Sequence, residues 1–151
     1  MRYFLGNPGA SGAAVVISET PNFYMVCRFK ESTEARIAER LKNQTLGGVE
    51  LFAAIEKVSA MPKQGVSSMF KFGDAAGFVR GLLTAYGIPF RFVLPRTWQK
   101  EFGLSAKYAS TTERKNAHKQ RAEQLFGMKL TLDVADAFLI AEWLRRQEVK
   151  P

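Results

Sequence analysis

Four positions in this sequence carry residue types suited to holding a divalent cation: Asn7, Glu56, Asp133 and Asp136. Asn7 follows the apolar run Tyr3-Phe4-Leu5 and opens the turn Asn7-Pro8-Gly9-Ala10-Ser11-Gly12. A carboxylate at such a strand tip binds Mg²⁺ directly, whereas an amide offers an oxygen without the negative charge. Glu56 interrupts the apolar run Ala53-Ala54-Ile55-Glu56-Lys57-Val58. An ionised Glu inside a buried strand is costly unless a cation or hydrogen bonds compensate it. The alternative is a strand-end Glu that reaches solvent or pairs with Lys57. Asp133 and Asp136, three residues apart on a terminal helix, share a face with Ile140 and Leu144, while Glu142 and Arg146 point elsewhere. Helix capping accounts well for Asp133 and less well for Asp136. With His118 as the sole histidine and Cys27 as the sole cysteine, a metal site here is built mostly from carboxylates. That donor set selects Mg²⁺ or Mn²⁺ over zinc. His118 itself follows Asn116 and Ala117 in a basic helix and reads as exposed.

The elements that must position these groups follow from patterning. Strands are expected at residues 2–6, 13–18 and 23–29, with a tight turn over 7–12 and a second turn at Thr20-Pro21-Asn22. Ser32 is placed to cap a helix over 33–44, ended by Gly47-Gly48. Residues 51–58 read as a central strand, 68–86 as a helix, 90–94 as a strand and 96–102 as a short helix. A polar loop over 105–112 precedes two more helices, 113–126 and 133–147. Three antiparallel strands followed by crossover helices and two parallel strands define a mixed five-stranded α/β sheet of RNase H-like type, with helices on both faces. In that arrangement one amide and three acids converge on one end of the sheet. Two-metal phosphodiester hydrolysis needs such a cluster, with two cations about 4 Å apart.

Composition narrows the class. The 151 residues suit one domain with a proper core, spanning 1–151. Lys and Arg total 22 against 14 Asp and Glu, a net charge of +8 that favours a polyanionic partner. A single cysteine permits no intrachain disulfide, which fits an intracellular setting, and Cys27 reads as a buried strand residue. No apolar run approaches the roughly 20 residues of a membrane span, and no signal peptide is evident.

With these residues in view, the chain resembles RuvC-like Holliday junction resolvases, particularly the short phage and prophage members. The resemblance rests on Leu5-Gly6-Asn7-Pro8-Gly9-Ala10-Ser11-Gly12, on Ile55-Glu56-Lys57-Val58 and on the stretch from Met61 to Gly73. It continues through Pro95-Arg96-Thr97-Trp98-Gln99-Lys100 to Asp133-Val134-Ala135-Asp136-Ala137-Phe138-Leu139-Ile140-Ala141, and so covers nearly the whole chain. What it implies is a cytoplasmic homodimer, phage or prophage encoded in a bacterial host, that binds four-way DNA junctions. It would nick them symmetrically with two Mg²⁺ or Mn²⁺ ions. The family's four acidic ligands map onto Asn7, Glu56, Asp133 and Asp136, and the first is an Asp in the family. The departure at Asn7 implies a chain that binds junctions but cleaves poorly. The other motifs are intact, which favours an Asp replaced deliberately to trap a substrate complex over a natural inactive homologue.

Several further residues follow from this reading. Ser59 to Ser67 is expected to be a flexible segment beside the site, and Lys63, Gln64, Lys71, Arg96 and Lys100 are expected to contact DNA. Lys129 is placed to stabilise charge developing at a scissile phosphate. Phe70 and Phe72 read as core residues, with wedging or stacking at the open centre of a junction as the alternative, and Trp98 reads as core. Gly73, Gly77 and Gly81 form a stripe on one helix that permits close approach, either to a two-fold mate or to the sheet. The alternative class is an architectural junction-binding protein without chemistry, which also suits Asn7. An RNA–DNA hybrid hydrolase shares the same fold class. An actin-like ATPase or sugar kinase needs two such domains, and the chain is too short for them.

Overall fold

A computed structural model describes residues 1–8, 12–20, 22–57, 63 and 65–149. Its sheet contains five strands in the order β3-β2-β1-β4-β5. They are β1 (Arg2–Asn7), β2 (Ala13–Ser18), β3 (Tyr24–Arg28), β4 (Glu50–Glu56) and β5 (Phe90–Val93). β1 pairs antiparallel with β2, and β2 with β3, as short hairpin connections require. β1 and β4, and then β4 and β5, pair in parallel; one helix leads from β3 into β4 and another from β4 into β5. This is the expected RNase H-like topology. The helices are α1 (Glu34–Asn43), α2 (Val66–Ala85), α3 (Pro95–Glu101), α4 (Thr111–Phe126) and α5 (Leu132–Glu148).

Alternation along the strands divides the core into two layers. Phe4, Val15, Ile17 and Ala54 face the side covered by α3, α4 and α5. Leu5, Ala14, Val16, Ala53 and Ile55 face α1 and α2. The sequence pattern had placed Asp133 on the buried side of α5 and Glu142 away from it, and both placements are corrected. α5 is enclosed by the sheet, α3 and α4, so Glu142 is only 7% exposed and is held by Arg145 and Arg146 at 2.7–2.9 Å. Asp133 lies in the first turn, ahead of the sheet contact. Three residues turn an α-helix by 300°, so it also diverges by about 60° from Asp136.

Two local signals were legible and lie slightly off the expected boundaries. Thr33, rather than Ser32, caps α1 by accepting from the Arg36 N–H at 3.2 Å. α4 starts at Thr111 rather than residue 113, because Ser110 caps it and Glu113 reaches back to the preceding turn. Ser110 Oγ accepts from the Glu113 N–H, and Glu113 accepts from the Ala109 N–H.

α2 departs further from expectation. Only Val79 and Leu83 of this helix are buried, so its C-terminal half alone is seated on the sheet. Phe70, expected in the core, is 75% exposed on the overhanging first turns. Gly73, Gly77 and Gly81 meet no neighbouring atom where a Cβ would stand, so the stripe does not serve packing on the sheet.

Candidate active site

β1 and β4 run in parallel with Asn7 opposite Ile55, so Asn7 and Glu56 end their strands side by side at the same edge. α5 is brought to that edge by close packing. A Cβ on Gly6 would stand 2.2 Å from the Ala137 carbonyl oxygen and 2.4 Å from the Ala141 nitrogen. Only glycine lets the helix backbone lie this near β1. That contact sets the first turns of α5, with Asp133 and Asp136, beside the strand tips.

The structure joins Glu56 and Asp136 into one cluster and leaves Asp133 apart. Trp98 of α3 donates its Nε1–H to Glu56 Oε2 at 2.6 Å. His118 of α4 lies with Nδ1 2.8 Å from Asp136 Oδ1; a carboxylate only accepts, so Nδ1 carries the proton. The Trp98 and His118 rings meet edge to face with centroids 5.3 Å apart. Burial pushes the Glu56 carboxyl up to about 7; the Trp98 hydrogen bond opposes this, the Asp136 charge adds to it and Arg114 opposes it again. A half-buried carboxyl beside a second carboxylate is a donor pair that a hard cation satisfies.

Asp133 is turned to other partners. Its Oδ2 accepts from Arg28 Nε at 2.7 Å, and its Oδ1 from the Thr131 hydroxyl, which itself accepts from the Arg28 guanidinium at 3.0 Å. Its partial burial pushes the acid up, but the hydrogen bonds from Thr131 and Arg28 and the Arg28 charge outweigh this and hold it below the usual range. Asn7 is 2% exposed. Among the described residues, no three or more His, Cys, Asp or Glu side chains converge to hold a metal. With Asp133 held by Arg28, the arrangement fits one cation between Glu56 and Asp136 better than it fits two.

The expectation that His118 is exposed is corrected: it is 2% exposed and lies beside the acids. Polar neighbours hid it. The available signal was the stripe His118, Ala122, Leu125 and Phe126 at helical spacing, which turns this face of α4 inward. Trp98 is in the core as expected, and its hydrogen bond to Glu56 was not foreseen. Lys63, Lys71, Arg96, Lys100 and Lys129 are all exposed, and Gln64 lies outside the described residues, as does most of the stretch 59–67.

The architecture is that of an RNase H-like α/β fold. Among solved structures it is shared by RuvC. Thermus thermophilus RuvC in complex with a Holliday junction substrate superposes with a TM-score of 0.62 and 15% identity, over 92% of this chain and 90% of that one. A further Thermus thermophilus RuvC structure gives 0.59 and 16%, over 97% and 96%. The sequence matches no family model and no curated protein.

Proposed function

We propose that this chain is a RuvC-like protein that binds four-way or branched DNA as a homodimer, with a metal-dependent nuclease site weakened by Asn7. The observation that carries the reading is the Glu56–Asp136 pair at the β1/β4 edge of a RuvC-like fold: Glu56 is half-buried, and the nearby Asp136 charge raises its carboxyl further. Glu56 and Asp136 would hold a Mg²⁺ or Mn²⁺ ion, with the Asn7 amide oxygen as a third donor. A cation of this kind supplies Lewis acidity and an activated water for phosphodiester hydrolysis. A second ion would require Asp133 to exchange Arg28 for metal, and the missing charge at position 7 weakens that site further.

The rest of the molecule suits such a substrate. The net charge of +8 attracts a polyanion, and the exposed Lys63, Lys71, Arg96 and Lys100 are the proposed phosphate contacts. Lys129 is the proposed partner of the scissile phosphate. The open face of Gly73, Gly77 and Gly81, with Phe70 exposed on the same helix, is the proposed two-fold contact. Competition binding tests the substrate class. A labelled four-way junction should resist competition by a large excess of linear duplex or RNA–DNA hybrid, and its affinity should fall steeply with salt. Equal competition by duplex would exclude structure-selective binding, and preference for hybrid would favour an RNase H-type substrate.

A further inference from the structure

Two buried hydrogen-bond donors flank the acids, and neither comes from the elements that carry them. Trp98 stands on α3 and His118 on α4, at 0% and 2% exposure. Each is oriented by packing. The two rings meet at 72°, and Tyr108 covers His118 at a ring distance of 6.4 Å and 83°. The Tyr108 hydroxyl is itself tied to the Leu104 carbonyl.

The hydrogen bonding of His118 shows what its packing serves. Its Nε2 is buried with no hydrogen-bond partner among the protein atoms described, while Nδ1 engages Asp136. An unsatisfied buried nitrogen is costly, and a Phe or Leu would fill the same space without one. Trp98 likewise spends its single donor on Glu56 rather than on a backbone carbonyl.

We infer that Trp98 and His118 are positioning residues, a rigid aromatic clamp that fixes the Glu56 and Asp136 carboxylates for a divalent cation. The inference rests on the metal-site reading above. Each donor occupies one oxygen, Glu56 Oε2 and Asp136 Oδ1, and thereby orients the other oxygen of each pair. Because the rings also touch each other, movement of one donor disturbs the other, and the two carboxylates are set as a unit.

The test is Mn²⁺ binding by the full chain carrying Asn7→Asp, followed by the electron paramagnetic resonance of free Mn²⁺, with circular dichroism confirming the fold. Trp98→Phe and His118→Leu should each weaken Mn²⁺ binding about 10- to 100-fold. His118→Asn places an amide N–H where Nδ1–H stands and should retain most of the affinity, although it packs no better than Leu. With Trp143→Phe leaving one indole, the Trp98 N–H resonance should shift on Mg²⁺ addition. Unchanged Mn²⁺ affinity in folded Trp98→Phe and His118→Leu would overturn the inference. So would His118→Asn falling as far as His118→Leu, since packing alone would then explain the loss. No Mn²⁺ binding by the Asn7→Asp chain without further substitution would instead overturn the metal-site reading, and the clamp with it.

Discussion

Glu56 is the residue on which the site's electrostatics turn. Its carboxyl is raised from an ordinary 4.5 to about 7, first by burial and then by the Asp136 charge, against the Trp98 hydrogen bond and Arg114. Between these values the native chain holds a proton that the unfolded chain has lost. Stability therefore falls as pH rises through this window, by a total of roughly 3 kcal/mol once the pH exceeds 7. Glu56→Gln should remove that slope and leave the variant more stable than the parent at pH 8 and nearly equal at pH 4. Denaturant midpoints across pH measure this directly, and parallel profiles for the two proteins would contradict it. The acids themselves were legible because an apolar run tolerates a Glu, and a core helix an Asp, only for a reason. His118 was only partly legible: its stripe with Ala122, Leu125 and Phe126 signalled an inward face, but its packing against Trp98 of α3 depends on the fold. Asp133 was half legible: its type suits a ligand, but only the fold brings Arg28 of β3 within its reach.

At the scale of elements, α5 on β1 is the contact that assembles the site, and Gly6 is what it depends on. Gly6→Ala drives a methyl into the backbone of Ala137 and Ala141, which no rotamer change relieves. The expected cost is about 3 kcal/mol. Any folded remnant should bind Mn²⁺ more weakly, because the first turn of α5 must lift. A stability within about 0.5 kcal/mol of the parent would show that the helix does not lie this close. α2 makes the opposite case, a helix whose first turns bury little. Gly77→Leu should disrupt the proposed homodimer while leaving the fold intact, read by sedimentation velocity, and a folded, dimeric Gly77→Leu would place the two-fold contact elsewhere. Strand pairing and the five helices were readable from period and turn chemistry. The seating of α2 was not, because Phe70 and Phe72 read as core on composition alone and only the extent of the sheet decides which turns have anything to cover.

Over the whole molecule, one edge of the sheet brings Glu56 and Asp136 together, and the chain as a whole carries a net charge of +8. On the proposed reading, that combination suits a strongly anionic substrate brought to a carboxylate site that would need metal to accept it. On the same reading, the Asn7 amide, buried at the end of β1, and the pairing of Asp133 with Arg28 separate this chain from an active form of such a site. The decisive measurement is cleavage of a labelled four-way junction in Mg²⁺ by this chain and by its Asn7→Asp variant, with linear duplex as control. The account predicts paired symmetric nicks by Asn7→Asp, at least 100-fold slower or absent cleavage by the parent, and no cutting of duplex by either. Tight junction binding by both with no cleavage by Asn7→Asp would contradict the account, and the chain would then be a junction-binding protein without chemistry.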